Sequence, residues 1–133
     1  ATYYSALGES DSKMLLARAI QMFMPGKPQV WYLDLFAGKN DHEAVRRAGE
    51  SGHKEINRTN LSASDIGEAL KKDVVTKQLE LLRMRNTHKA FEKGAVITVA
   101  EEGQKLSIRY DNDGAYALLT VDFKAQSYEI EMS

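Results

Sequence analysis

The sequence predicts an α+β chain, with helices through the first two thirds and a small antiparallel β-sheet at the end. Two observations carry this. Before Gly94 the apolar residues recur at helical spacing, and after it the period drops to 2, the alternation of a strand with one buried face. The clusters "AEEGQ", "DNDGA" and "KAQ" then cut the last stretch into strand-length pieces, as turns do. One further segment does not fit so simply: an apolar strand pattern near residue 30 that has no sheet partner nearby.

The elements follow in order. Ser10, Asp11 and Ser12 offer capping oxygens to a helix over residues 13–24, which Pro25 and Gly26 stop. That helix is apolar on most of its faces, so it is expected to be packed on two sides. Met14, Met22 and Met24 read as packing residues within it. Pro28 opens "PQVWYLDLFAG", whose Val30, Trp31, Tyr32 and Leu33 lack polar alternation, as strands of a parallel sheet do. Short helices are expected over residues 41–48 and 62–70. Asp73 then caps a longer helix over residues 74–86, with Val75, Leu79 and Leu82 on one face and Val74, Leu81 and Met84 widening it. "AVITV", "KLSIRY", "YALLTVDF" and "SYEIEM" form the meander, which needs a covering layer; the last helix is the expected cover.

Composition bounds the function classes. The 133 residues make one ordinary domain or a small domain with an appendage. With 43% hydrophobic and 28% charged residues the chain is expected to fold rather than stay disordered. A net charge of −1 supplies no field for nucleic acid or an anionic membrane, and neither partner is expected. No apolar run approaches the roughly 20 residues that span a bilayer. The absence of cysteine excludes disulfides and thiolate sites and fits a cytoplasmic location. The triplets at Asn57 and Asn60 match a glycosylation pattern by coincidence. Because the sequence starts at Ala1 without methionine, a trimmed or excised fragment is an open reading.

No complete active site emerges from the residues alone. His42, His53 and His88 lack the spacing of a metal pair, so no metal is expected, and no cofactor either. "DNDG" is a hairpin signal rather than a calcium loop. Retaining glycosyl transfer needs two carboxylates about 5 Å apart, and Asp34 is the only acid in an apolar strand context. The stretch 38–60, "GKNDHEAVRRAGESGHKEINRTN", follows the buried strand on the side where α/β folds bind ligands. Lys54, Asn57 and Arg58 suit sugar hydroxyls, phosphate or carboxylate, with Asn40 and Asp41 beside them. A solvated polar loop, with Glu55 paired locally, is the other reading of these residues.

Taken together, "TYYSALG", "LLARAIQMFMPGKPQVWYLDLFAGKND", "EINR" and "LLRMRNTHKAF" resemble, in that order, the C-terminal third of sucrose phosphorylases and their relatives. These belong to the α-amylase superfamily, glycoside hydrolase family 13, of (β/α)8-barrel enzymes. The match runs from about residue 2 to 91. The resemblance implies that residues 1–93 are the end of the barrel: its seventh helix, its eighth strand "PQVWYLD" and its eighth helix. Residues 94–133 would be the small antiparallel β domain. The orphan strand then has its neighbours earlier in a longer parent.

The same resemblance implies a function. The parent would be a retaining α-glucoside phosphorylase, a glycosyltransferase that forms a covalent glucosyl-enzyme and opens it with phosphate to give α-glucose 1-phosphate. All three catalytic carboxylates would lie before Ala1, leaving no catalytic residue in this chain, which is expected to be inactive alone. Family sucrose phosphorylases carry a "GRDINR"-like loop whose first arginine holds the glucosyl unit. This sequence has "HKEINR", with Lys54 at that place and Glu55 for the aspartate. Lysine keeps the charge and loses the planar fork. The pattern therefore resembles the subgroup acting on glucosylglycerate, and Lys54, Asn57, Arg58, Asn40 and Asp41 become candidate substrate-binding residues. Expected partners are an α-glucoside and inorganic phosphate. The unpaired strand predicts self-association of the isolated chain and leaves a homodimeric parent open. The rival is a non-catalytic sugar- or partner-binding module derived from the barrel.

Overall fold

In the computed structural model, the described residues are 7–8, 10–28 and 63–133. They form three α-helices and a four-stranded sheet: α1 (Asp11–Phe23), α2 (Ala63–Ala69), α3 (Asp73–Thr87), a 3-10 turn (Lys89–Phe91), β1 (Val96–Glu102), β2 (Lys105–Asn112), β3 (Ala115–Asp122) and β4 (Ser127–Met132). The α+β class and the antiparallel meander match the expectation. The core of the expected strand, residues 30–33, and the expected helix at 41–48 lie outside the described residues. The chain divides into two compact units. One holds Ala1–Met14 and Gln29–Leu79; the other holds Leu15–Pro28 and Glu80–Ser133.

Helix α1 begins as its sequence requires. The Lys13 N–H donates to Ser10 Oγ at 3.4 Å, a capping bond to one of the orphan donors of the first turn. No residue from Met14 to Phe23 is exposed, which agrees with a helix that is apolar nearly all round. Met14 and Met22 are fully buried, but Met24 lies past the helix end and is exposed. Gly26 then takes φ +95°, a conformation costly for any residue with a Cβ.

Helix α3 departs from expectation in two ways. Asp73 is its first residue rather than a cap outside it: the Thr76 N–H already bonds Lys72 O at 3.1 Å, and the Asp73 carboxylate pairs with Lys77 at 3.0 Å. The buried stripe is also rotated. Val74, Val75, Gln78 and Leu81 are buried, whereas Leu79 is exposed. The 3.6 period was legible, but a glutamine in the buried phase shifts the apolar pattern by one residue.

The sheet has the order β1-β2-β3-β4, every pair antiparallel. Two-residue turns set its first two hairpins. Gly103, at φ +60°, precedes Gln104 between β1 and β2; Asp113 (φ 50°) and Gly114 (φ +85°) join β2 to β3. The second is the type I′ pattern, whose twist suits adjoining strands. Register places Leu106, Ile108 and Tyr110 beside Val121, Leu119 and Ala117 on one face, and all but Leu106 of these are buried. On β4 the same face carries Tyr128, Ile130 and Met132.

The cover of this face is built differently from the expected helix. Phe91, on the 3-10 turn, packs tilted against Tyr110, with ring centroids 4.8 Å apart and planes at 53°. Phe23, at the end of α1, meets both rings edge-on, at 5.3 Å from Phe91 and 6.0 Å from Tyr110. Helix α3 contributes Arg85, whose guanidinium lies over Phe91 at 4.8 Å and Tyr110 at 5.3 Å. Asn112 fastens the hairpin to the turn, its amide donating to Lys89 O and Glu92 O at 3.1 Å each.

Candidate functional site

Lys54, Asn57, Arg58, Asn40 and Asp41, the residues singled out for substrate contact, all lie outside the described residues, as do Asp34, Glu55, His42 and His53. What the described part of the chain offers is a cluster around the 3-10 turn. Arg85 Nη2 donates to Gly26 O at 2.7 Å, tying the bend after α1 to the end of α3. The Tyr110 hydroxyl donates to Phe23 O at 2.9 Å, satisfying a carbonyl at the α1 terminus that has no helical partner.

His88 caps the turn. Its Nδ1 accepts from the Ala90 N–H at 3.1 Å, so the ring proton resides on Nε2, which donates to Ser133 O at 3.1 Å. Ser133 in turn meets β3: its Oγ accepts from the Tyr116 N–H at 3.0 Å. Both ring nitrogens are thus committed to backbone. This wiring makes His88 a structural link between the turn and the last residues of the sheet. Nothing in the one-dimensional pattern marked it for that role.

An open cleft of about 370 Å³ adjoins this cluster, lined by Lys27, Arg85, Asn86, His88, Phe91 and Glu92 among others. Among the described residues Glu92 is the one carboxylate that lines it, and the described lining holds no facing pair of the kind that glycosyl transfer requires. On the outer face of the sheet, Arg109 Nε donates to both oxygens of Asp111 (3.1 and 2.9 Å), with its guanidinium 4.5 Å above the Tyr116 ring. The hydrogen bond to Asp111 raises the Arg109 pKa above its ordinary value, against an opposing effect of desolvation. This group ties together side chains on a sheet surface. Among the described residues, no three His, Cys, Asp or Glu side chains come together as a metal site. No described helix is long and apolar enough to cross a membrane.

Comparison with known proteins supplies what the described geometry does not. No family model matches the chain. A sucrose 6(F)-phosphate phosphorylase of Ilumatobacter coccineus is 53% identical over 130 residues, covering 98% of this chain and 25% of that protein. A glucosylglycerol phosphorylase of Marinobacter adhaerens is 41% identical over 91 residues, 68% of this chain and 18% of that protein. The crystal structure of sucrose 6F-phosphate phosphorylase from Thermoanaerobacter thermosaccharolyticum superposes with a TM-score of 0.91 at 39% identity, covering 98% of this chain and 26% of that one. The chain thus spans about a quarter of the length of the curated relatives that match nearly all of it. With such identity along nearly its whole length, the chain belongs to the sucrose phosphorylase family and corresponds to the C-terminal portion of its members.

Proposed function

We propose that the chain is part of a retaining α-glucoside phosphorylase, which transfers a glucosyl unit to phosphate and releases α-glucose 1-phosphate. The single observation that carries this is the 53% identity, over 98% of the chain, to a protein named for phosphorolysis of sucrose 6(F)-phosphate. Residues 1–93 are assigned to the end of the catalytic barrel and residues 94–133 to the C-terminal β domain. The exchange needs two carboxylates on opposite sides of the scissile bond, one as nucleophile and one as acid/base. Both are assigned to the part of the protein that precedes this chain, together with most of the barrel. The reading as a free-standing binding module is not favoured, since the relatives it would have to resemble all carry phosphorylase names.

Within the proposed site, Lys54 holds the glucosyl unit, and Asn57, Arg58, Asn40 and Asp41 complete the polar wall. A lysine there makes a point contact where an arginine would grip two acceptors. This favours an α-glucoside other than sucrose, and glucosylglycerate is the substrate we put first. The relatives' own names argue for testing sucrose 6(F)-phosphate and glucosylglycerol alongside it. The test is phosphorolysis by the full-length protein with each of these and sucrose. Glucose 1-phosphate release from at least one is expected, and Lys54→Ala should lower kcat/KM by about a hundredfold, as loss of a charged substrate contact does. Absence of phosphorolysis with every glucoside would overturn the function; an unimpaired Lys54→Ala enzyme would overturn the site.

A further inference from the structure

The sheet is too small to be a domain by itself. Residues 94–133 number about 40, the size below which a chain usually needs a disulfide, a metal or outside packing to hold its fold. This chain has no cysteine, and no metal cluster occurs among its described residues. Yet Ile108, Tyr110, Ala117, Leu119 and Val121 are all buried, the last three completely. The rest of their core comes from before Gly94. Phe23, itself fully buried, meets Tyr110 and Phe91, and Arg85 lies over both of those rings. Polar ties follow the same route. The Tyr110 hydroxyl donates to Phe23 O, the Asn112 amide to Lys89 O and Glu92 O, and His88 Nε2 to Ser133 O, while Lys89 Nζ pairs with Asp113 at 3.2 Å. The compact unit that holds the sheet accordingly takes in Leu15–Pro28 and everything from Glu80. Its boundary crosses α1 and α3 and does not fall at Gly94.

We infer that the sheet, residues 15–28 and residues 80–93 open and close as one cooperative unit, in which Tyr110 and Arg85 clamp the end of α1. The two side chains hold the Phe23 and Gly26 carbonyls, on either side of the bend that follows the helix. Peeling the sheet from α1 strands a buried hydroxyl and uncovers the Phe23 ring. Neither side can therefore be released without exposing the core of the other, which is the condition for a shared local opening. The clamp also gives the terminal sheet a task in the whole protein. It fixes the exit of the chain from α1, the point from which the sequence runs on to the apolar stretch at 30–33. Every contact of the clamp is made within these residues, independently of the phosphorylase reading.

The test uses the full-length protein and Gly103→Ala, in the β1–β2 turn at the opposite end of β2 from Tyr110 and Asn112. Gly103 sits at φ +60°, and an added Cβ meets nothing within 4 Å, so the substitution strains the sheet without touching α1. Native-state hydrogen exchange should show protection lower by about tenfold in residues 105–122, the size of a left-handed Cβ penalty. The same factor should appear in residues 15–26, with α2, in the other unit, unchanged. Tyr110→Phe, which removes the bond to Phe23 O, should also lower both segments together. Loss confined to residues 105–122 would make the sheet a separable domain and overturn the clamp. Protection of residues 15–26 that is unchanged in either variant would overturn it, and so would an equal loss in α2, since the unit would then have no boundary.

Discussion

Tyr110 shows how one residue couples several requirements. Its ring is buried between Phe23 and Phe91, and its hydroxyl must then find a partner, which the terminal carbonyl of α1 supplies. Tyr110→Phe keeps the ring and strands the Phe23 carbonyl, so it should cost about 1–3 kcal/mol in a denaturant titration. Arg85 is the harder residue to read from sequence. At the end of a helix it looks like a solvated cation favourable to the dipole. In the structure its guanidinium bonds Gly26 O and covers two aromatic rings. Periodicity places it on the correct face, but nothing local says that two rings from distant segments will arrive there.

At the scale of elements, the two glycines that matter most point in opposite directions. Gly114 sits at φ +85° in the turn between β2 and β3, and Gly114→Ala should cost about 1–2 kcal/mol, the penalty of a Cβ in left-handed backbone. Gly67 lies inside α2, where an added Cβ meets nothing within 4 Å. Gly67→Ala should therefore stabilise by about 0.5–1 kcal/mol, since alanine loses less backbone entropy on entering a helix. Thermal unfolding of both variants checks the pair of signs. The hairpin turn was legible because Asp-Gly has few other uses between strands. The 3-10 turn was not: "KAF" carries no turn signal, and its cap depends on the His88 ring reaching back to the Ala90 N–H.

For the whole molecule, family membership separates what this chain can do from what it belongs to. The described residues contain a sheet, its aromatic cover and a cleft whose described lining holds a single carboxylate. The isolated 133-residue chain should therefore release no glucose 1-phosphate from any α-glucoside with phosphate, against a full-length control assayed in parallel. Sequence blocks in the right order identified the family, and alternation after Gly94 located four strands, because both are properties of consecutive residues. The candidate loop around Lys54 was legible only as a set of donors after an apolar strand. The buried phase of α3 and the rings that cover the sheet were decided by tertiary structure alone. Each depends on which distant surface arrives against an element, and a local period reports the spacing of a face without reporting what will cover it.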